Sequence, residues 1–234
     1  MLALCLLLTC APHPGVAEGR SAGITRTDQL PTAELRSWRK QLIAGQTLRA
    51  SKLRGLADAL DGLAAFAYAK RLEDIGDPDV LPDAAHYYSI AAYTGRDFAV
   101  NRLVKLVQDP AVVLTASQQK GALDALIRRG KAGNANAALA LGRMYEAGHP
   151  FGKDAVAARV WLQVAADAGN EDAALKLALQ AMVPAPGAPA DPDLARRVLS
   201  MLAASDNPGK KAMAGTLLAR LDRTEPPQAQ GATP

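Results

Sequence analysis

The feature that most limits what this chain can fold into is a spaced duplication. Ala132-Gly133-Asn134, two residues, then Ala137-Ala138-Leu139 recurs as Ala168-Gly169-Asn170, two residues, then Ala173-Ala174-Leu175, an offset of 173 − 137 = 36 throughout. A period of this length holds two helices and two turns. Such a pair cannot bury both apolar faces alone, and stacking further pairs supplies the missing partners. The intervening residues fit this anatomy. Ala137, Leu141 and Tyr145 fall four apart on one helical face, with Gly142 where a neighbouring backbone can approach. Gly148-His149-Pro150-Phe151-Gly152 has the composition of a turn, and Asp154 is placed to cap a second helix that turns Ala158, Trp161, Ala165 and Ala166 toward the first.

Degraded copies flank this unit. Ala64-Ala65-Phe66-Ala67-Tyr68-Ala69 aligns with Ala137 to Gly142, and Tyr87 with Ala91-Ala92 and Gly95 matches Trp161 with Ala165-Ala166 and Gly169. The interval 161 − 87 = 74 is close to two periods, so one more unit lies between. Ala99, Leu103 and Val107 supply its first helix, and Ala125 to Gly133 closes its second. A last unit runs from Ala173 through the Pro-rich stretch 184–192, read as a lengthened loop, to Leu199 and Ala203-Ala204. A terminal helix over Lys210 to Leu221 covers the final apolar face, and 223–234 reads as a disordered tail. Residues 27–60 read as N-terminal capping helices, with Leu35, Trp38 and Leu42 on one face, and 62–222 as the repeats. The composition agrees: 49% of the 234 residues are hydrophobic but only 4% aromatic, so alanine and leucine, both strong helix formers, carry the apolar content.

The stretch Ala137 to Gly169 resembles the Sel-1-like repeat (SLR), a relative of the tetratricopeptide repeat, at Ala137, Leu141, Gly142, Tyr145, Gly148, Asp154, Ala158, Trp161, Ala165, Ala166 and Gly169. It departs at Pro150 and Phe151, where the pattern has Gly and Val. The match is fullest in this unit, partial over 62–95 and sparse elsewhere. The resemblance implies an all-α solenoid, an α/α superhelix of antiparallel helix pairs, and a non-catalytic role as a protein–protein adaptor or scaffold. The resemblance further implies a setting like that of some bacterial envelope members, which look like scaffolds or regulators for exopolysaccharide synthesis and secretion. It also implies an alternative, a secreted hydrolase acting on cell wall or β-lactams, but those members are cysteine-rich.

Here both cysteines, Cys5 and Cys10, lie in the N-terminal apolar run Met1 to Cys10, within seventeen residues that carry no charged side chain. The run is too short to span a bilayer as a helix and reads as a signal peptide over 1–17, with Gly15-Val16-Ala17 as the cleavage pattern. A second reading takes Leu7-Leu8-Thr9-Cys10 as a lipobox with Cys10 lipidated, although Thr9 is larger than the residue usual there. The missing basic n-region leaves open a third, a cytoplasmic protein with an unusual start. The expected location is therefore periplasmic or secreted, or lipid-anchored at the membrane. A chain without mature cysteines has no thiol nucleophile and no thiolate metal ligand.

Catalysis needs a constellation that the sequence does not supply. His86 and His149 lack a second ligand at helical spacing, and no nucleophile elbow, P-loop or paired-histidine zinc motif occurs. No cofactor is expected. A formal charge of +4 with few aromatics argues against nucleic acid. One functional pattern stands out: aligning the first helices puts Lys70, Lys105 and Arg143 at one repeat position, with Leu179 ending the series. First helices line the groove of tetratricopeptide-like arrays, so these three form a candidate partner-binding ladder for an acidic peptide or an anionic polysaccharide.

Overall fold

A computed structural model describes residues 23–183 and 190–224, and regular structure among them is helical throughout. Eleven α-helices follow in order: α1 Ala33–Ile43, α2 Ala50–Asp58, α3 Gly62–Ile75, α4 Leu81–Tyr93, α5 Val100–Gln108, α6 Ala116–Lys131, α7 Ala135–Ala147, α8 Ala155–Asp167, α9 Glu171–Met182, α10 Pro192–Ala203 and α11 Pro208–Thr224. Successive helices pack as antiparallel pairs, α3 with α4, α7 with α8 and α9 with α10, whereas α5 and α6 touch only lightly and both pack chiefly on α4. Each pair leans on the next, so the chain is an all-α solenoid.

The period is written in the caps. Asp61, Asn134, Asn170 and Asn207 each turn a side-chain oxygen onto the backbone N–H three residues on, at 2.9, 2.9, 2.9 and 3.2 Å, satisfying a donor that the first turn of a helix leaves open. In the remaining unit the same repeat position holds Arg96, which makes no side-chain capping bond, and the neighbouring Asp97 accepts from Asn134 at 2.8 Å and from Arg129 at 2.7 Å. The chain entering these caps passes through the left-handed region at Gly95, Gly133 and Gly169, where only glycine is free of steric cost. Leu60 (φ 65°) holds that place in the first unit.

Small residues set how closely the helices approach. A Cβ on Gly142 would lie 2.9 Å from Leu162 Cγ and 3.3 Å from the Ala158 carbonyl oxygen, so α7 and α8 meet there almost backbone to backbone. Fully buried Leu56, Leu103, Leu126, Leu141, Leu162, Leu177 and Leu199 fill the layers between, each contributing on the order of 2 kcal/mol of burial. The buried residues fall into three clusters. Tyr68 touches the first and second, and Trp161 the second and third, making one apolar spine. Trp161 does this by leaning on Gly130 of α6, so it packs between units as well as between the helices of its own.

At the N-terminal end Ile24 pairs with Asp61, and Arg39 of α1 lies buried with Asp61. Its guanidinium also donates to Thr27 Oγ1 at 2.8 Å and the Thr25 carbonyl at 2.7 Å.

Some boundaries differ from the sequence reading. The second helix of the α5–α6 unit, whose start the sequence reading did not place, begins at Ala116, where Thr115 and Gln118 close a reciprocal capping box, and ends at Lys131 within the expected Ala125 to Gly133 close. Helix α11 extends beyond Lys210–Leu221 on both sides and takes in 223 and 224 of the expected tail. The leader 1–17 with Cys10, the loop residues 184–189 and the tail from 225 lie outside the described residues.

Candidate interaction surface

Tyr68, Leu103, Leu141 and Leu177 give the first helices a common frame, since the three leucines are fully buried and Tyr68 packs against the same spine. Two residues beyond each lie Lys70 on α3, Lys105 on α5, Arg143 on α7 and Leu179 on α9, all exposed. The structure thus carries the three cations on successive first helices at matching positions, with Leu179 ending the series.

Acidic side chains are interleaved with them. Lys70 is in an i,i+4 ion pair with Asp74 at 2.9 Å. Lys105 and Arg143 make no ion pair with the described residues, but each acts on a nearby carboxylate. Burial works against ionisation of Glu73, yet hydrogen bonds from Tyr88 and Arg102, with the charges of Arg102 and Lys105, outweigh it and hold the carboxyl below its ordinary range. Asp172 is lowered chiefly by its hydrogen bond with Lys210, and the charge of Arg143 adds to that.

Sequence reasoning missed the ion pairs that bridge one first helix to the next. Between α3 and α5, Glu73 accepts from Arg102 at 2.6 Å and from the Tyr88 hydroxyl at 2.7 Å. Between α7 and α9, Glu146 pairs with Lys176 and accepts from Gln180 at 3.1 Å. Between α9 and α11, Lys210 pairs with Asp172 at 2.6 Å and Glu171 at 3.4 Å. In the first two cases the acid lies five residues after the frame residue and the base one residue before the next. That signal was present in the sequence, but only once the register of each unit was known.

The aromatic side chains serve packing. Tyr68 and Tyr87 meet edge to face at 4.8 Å, and the Tyr87 hydroxyl donates to Asp58 at 2.7 Å. Burial first, and then Asp58, push this phenol well above its ordinary range. Phe66 contacts Phe98 at 4.4 Å and Tyr88 at 5.6 Å, leaving Phe98 half exposed. Tyr145 stands 6.4 Å from Phe151, across the turn. His86 lies beside Tyr87 and His149 is exposed in the α7–α8 turn. Among the described residues no three His, Cys, Asp or Glu side chains are grouped to hold a metal ion, and no helix is long and apolar enough to cross a membrane.

No family model matches the sequence, and no curated protein matches it. The structure does have solved counterparts. A Sel1 repeat protein from Oxalobacter formigenes is 22% identical, superposes with a TM-score of 0.56, and is matched over 90% of this chain and 57% of its own length. The chain has the Sel1-repeat fold. It spans little more than half of that longer Sel1 repeat protein. A protective antigen present in uropathogenic Escherichia coli strains, displaying an SLR fold, is 18% identical over 80% of this chain and 45% of its own, with a TM-score of 0.46. The Sel1-repeat units here are the four pairs α3–α4 to α9–α10, and the unit matching the repeat pattern most fully, α7–α8, has the close helix contact at Gly142 that the pattern demands.

Proposed function

We propose that this chain is a non-catalytic protein-interaction scaffold that recruits an acidic segment of a partner along its first helices. The observation that carries the reading is the register of Lys70, Lys105 and Arg143, one exposed cation per unit on α3, α5 and α7. A solenoid repeats its surface with its core, so one side-chain type at one repeat position becomes a linear array suited to an extended chain. Such an array mainly speeds encounter and selects by charge, so capture should weaken as salt rises. Its test is partner capture from an envelope extract by wild type and by the triple variant Lys70→Glu, Lys105→Glu, Arg143→Glu. Wild type is expected to retain a partner with an acidic segment and the variant to lose it. Unchanged capture would count against the ladder.

We place this scaffold in the bacterial envelope, as a support for exopolysaccharide synthesis or secretion. The support for that setting is the Met1–Ala17 leader pattern together with the SLR resemblance. Mass spectrometry of the protein made with its native N-terminus separates the routes. A chain beginning at Glu18 marks simple export, an acylated Cys10 marks lipid anchoring, and an intact leader would contradict both. Hydrolysis of a β-lactam or of cell wall by the purified protein would favour the enzymatic alternative.

A further inference from the structure

The inter-unit ion pairs skip one junction. Relative to the frame residues, the acid position reads Glu73, Gln108 and Glu146 on α3, α5 and α7. The matching base position reads Arg102, Ala140 and Lys176 on α5, α7 and α9. The α3–α5 and α7–α9 junctions therefore have both partners and are closed by ion pairs. At α5–α7 the acid is replaced by Gln108 and the base by Ala140, and the two helices meet instead through a neutral contact in which Asn136 donates to Asn101 at 3.3 Å. Of the three cations in the series, the two that make no ion pair with the described residues, Lys105 and Arg143, stand on the two sides of this junction, whereas Lys70 pairs with Asp74. The carboxylates nearest to them in effect are already engaged, Glu73 by Arg102 and Tyr88, and Asp172 by Lys210.

We infer that the α5–α7 junction is the ligand position of the scaffold, where a carboxylate of an acidic peptide seats between Lys105 and Arg143 and supplies the acid that Gln108 does not. The inference rests on the acidic-peptide reading and narrows it to one place. Lys70, tied to Asp74, contributes little, and the neighbouring junctions are closed to an incoming anion by their own acids. Flexible side chains on helices packed about 8–10 Å apart can converge on one carboxylate, and the shared anion removes the mutual repulsion of the two cations.

The test uses the full chain and a fluorescein-labelled octaglutamate peptide, read by anisotropy at low salt, with circular dichroism confirming the fold of every variant. Lys105→Ala with Arg143→Ala is expected to weaken binding about tenfold, as two exposed charge pairs are lost together, whereas Lys70→Ala changes it less than about twofold. Gln108→Glu restores the internal acid on α5 and is expected to weaken binding severalfold without loss of thermal stability. Binding that survives both the double variant and Gln108→Glu would overturn this site while leaving the acidic-peptide reading intact. No binding by wild type would overturn that reading itself. Preference for an oligogalacturonate probe over the peptide, lost in the double variant, would overturn the choice of ligand.

Discussion

Glu73 shows how one side chain ties three helices. It sits on α3 and accepts from Tyr88 on α4 and Arg102 on α5, and burial, which alone would raise its pKa, is outweighed by those bonds. A carboxyl whose folded pKa is depressed stabilises the fold fully above its unfolded value and loses that contribution as pH falls through the folded one. The wild type is therefore expected to lose stability below about pH 4.5, the ordinary value, while Glu73→Gln is about 1–2 kcal/mol less stable at neutral pH and flatter across the acid range. Urea unfolding at a series of pH values checks both, and parallel curves for the two proteins would contradict the assignment. Gly142 acts by absence. Gly142→Ala gains helix propensity of up to about 1 kcal/mol, but its Cβ would stand 2.9 Å from Leu162 Cγ and 3.3 Å from a backbone oxygen. A net loss of about 1–2 kcal/mol is expected in the same assay, because the branch point of Leu162 and the α8 backbone have little room to retreat.

Helix α1 depends on a charge that its sequence does not advertise. Arg39 and Asp61 are both buried, and the guanidinium also binds Thr27 and the Thr25 carbonyl, so the segment ahead of α1, α1 itself and the cap of α3 share one ion pair. Asp61→Asn keeps a capping oxygen but strands Arg39, at a cost of about 3–5 kcal/mol. Adding Arg39→Met should recover much of that loss, a contrast read by urea unfolding with far-ultraviolet circular dichroism. No recovery would mean that the pair does more than neutralise itself. Sequence periodicity exposed the strong units because Ala137, Leu141, Trp161 and the Gly-Asn caps repeat at fixed spacing. It located the α5–α6 unit poorly because the cap position there holds Arg96, which has no side-chain oxygen to accept from the first turn. The Arg39–Asp61 contact was invisible because it joins a non-repeating segment to the first repeat across 22 residues, with no spacing rule to betray it.

At the scale of the whole molecule, a solenoid is only as cooperative as the contacts between neighbouring layers. The register of Lys70, Lys105 and Arg143 was legible in the sequence for the same reason that the fold was: surface and core repeat together. Which cations are engaged was not legible, since that depends on acids from adjacent units. The layers are joined through few side chains, and Trp161 is the one that touches both the central and the C-terminal apolar clusters. It fits there because Gly130 leaves room, a Cβ at that position standing 2.7 Å from the indole ring. Trp161→Ala should cost about 3 kcal/mol, at the lower end for a large core aromatic because the ring is only partly buried. Its more telling effect is on cooperativity. With the bridge gone, α9 to α11 remain attached mainly through the α8–α9 packing and the Glu146–Lys176 pair. Urea unfolding followed by far-ultraviolet circular dichroism should then separate into two steps, the first silent to Trp38, which reports on the N-terminal cluster. A single transition coincident in both signals would show instead that the backbone-to-backbone packing of the small residues carries the coupling without the indole.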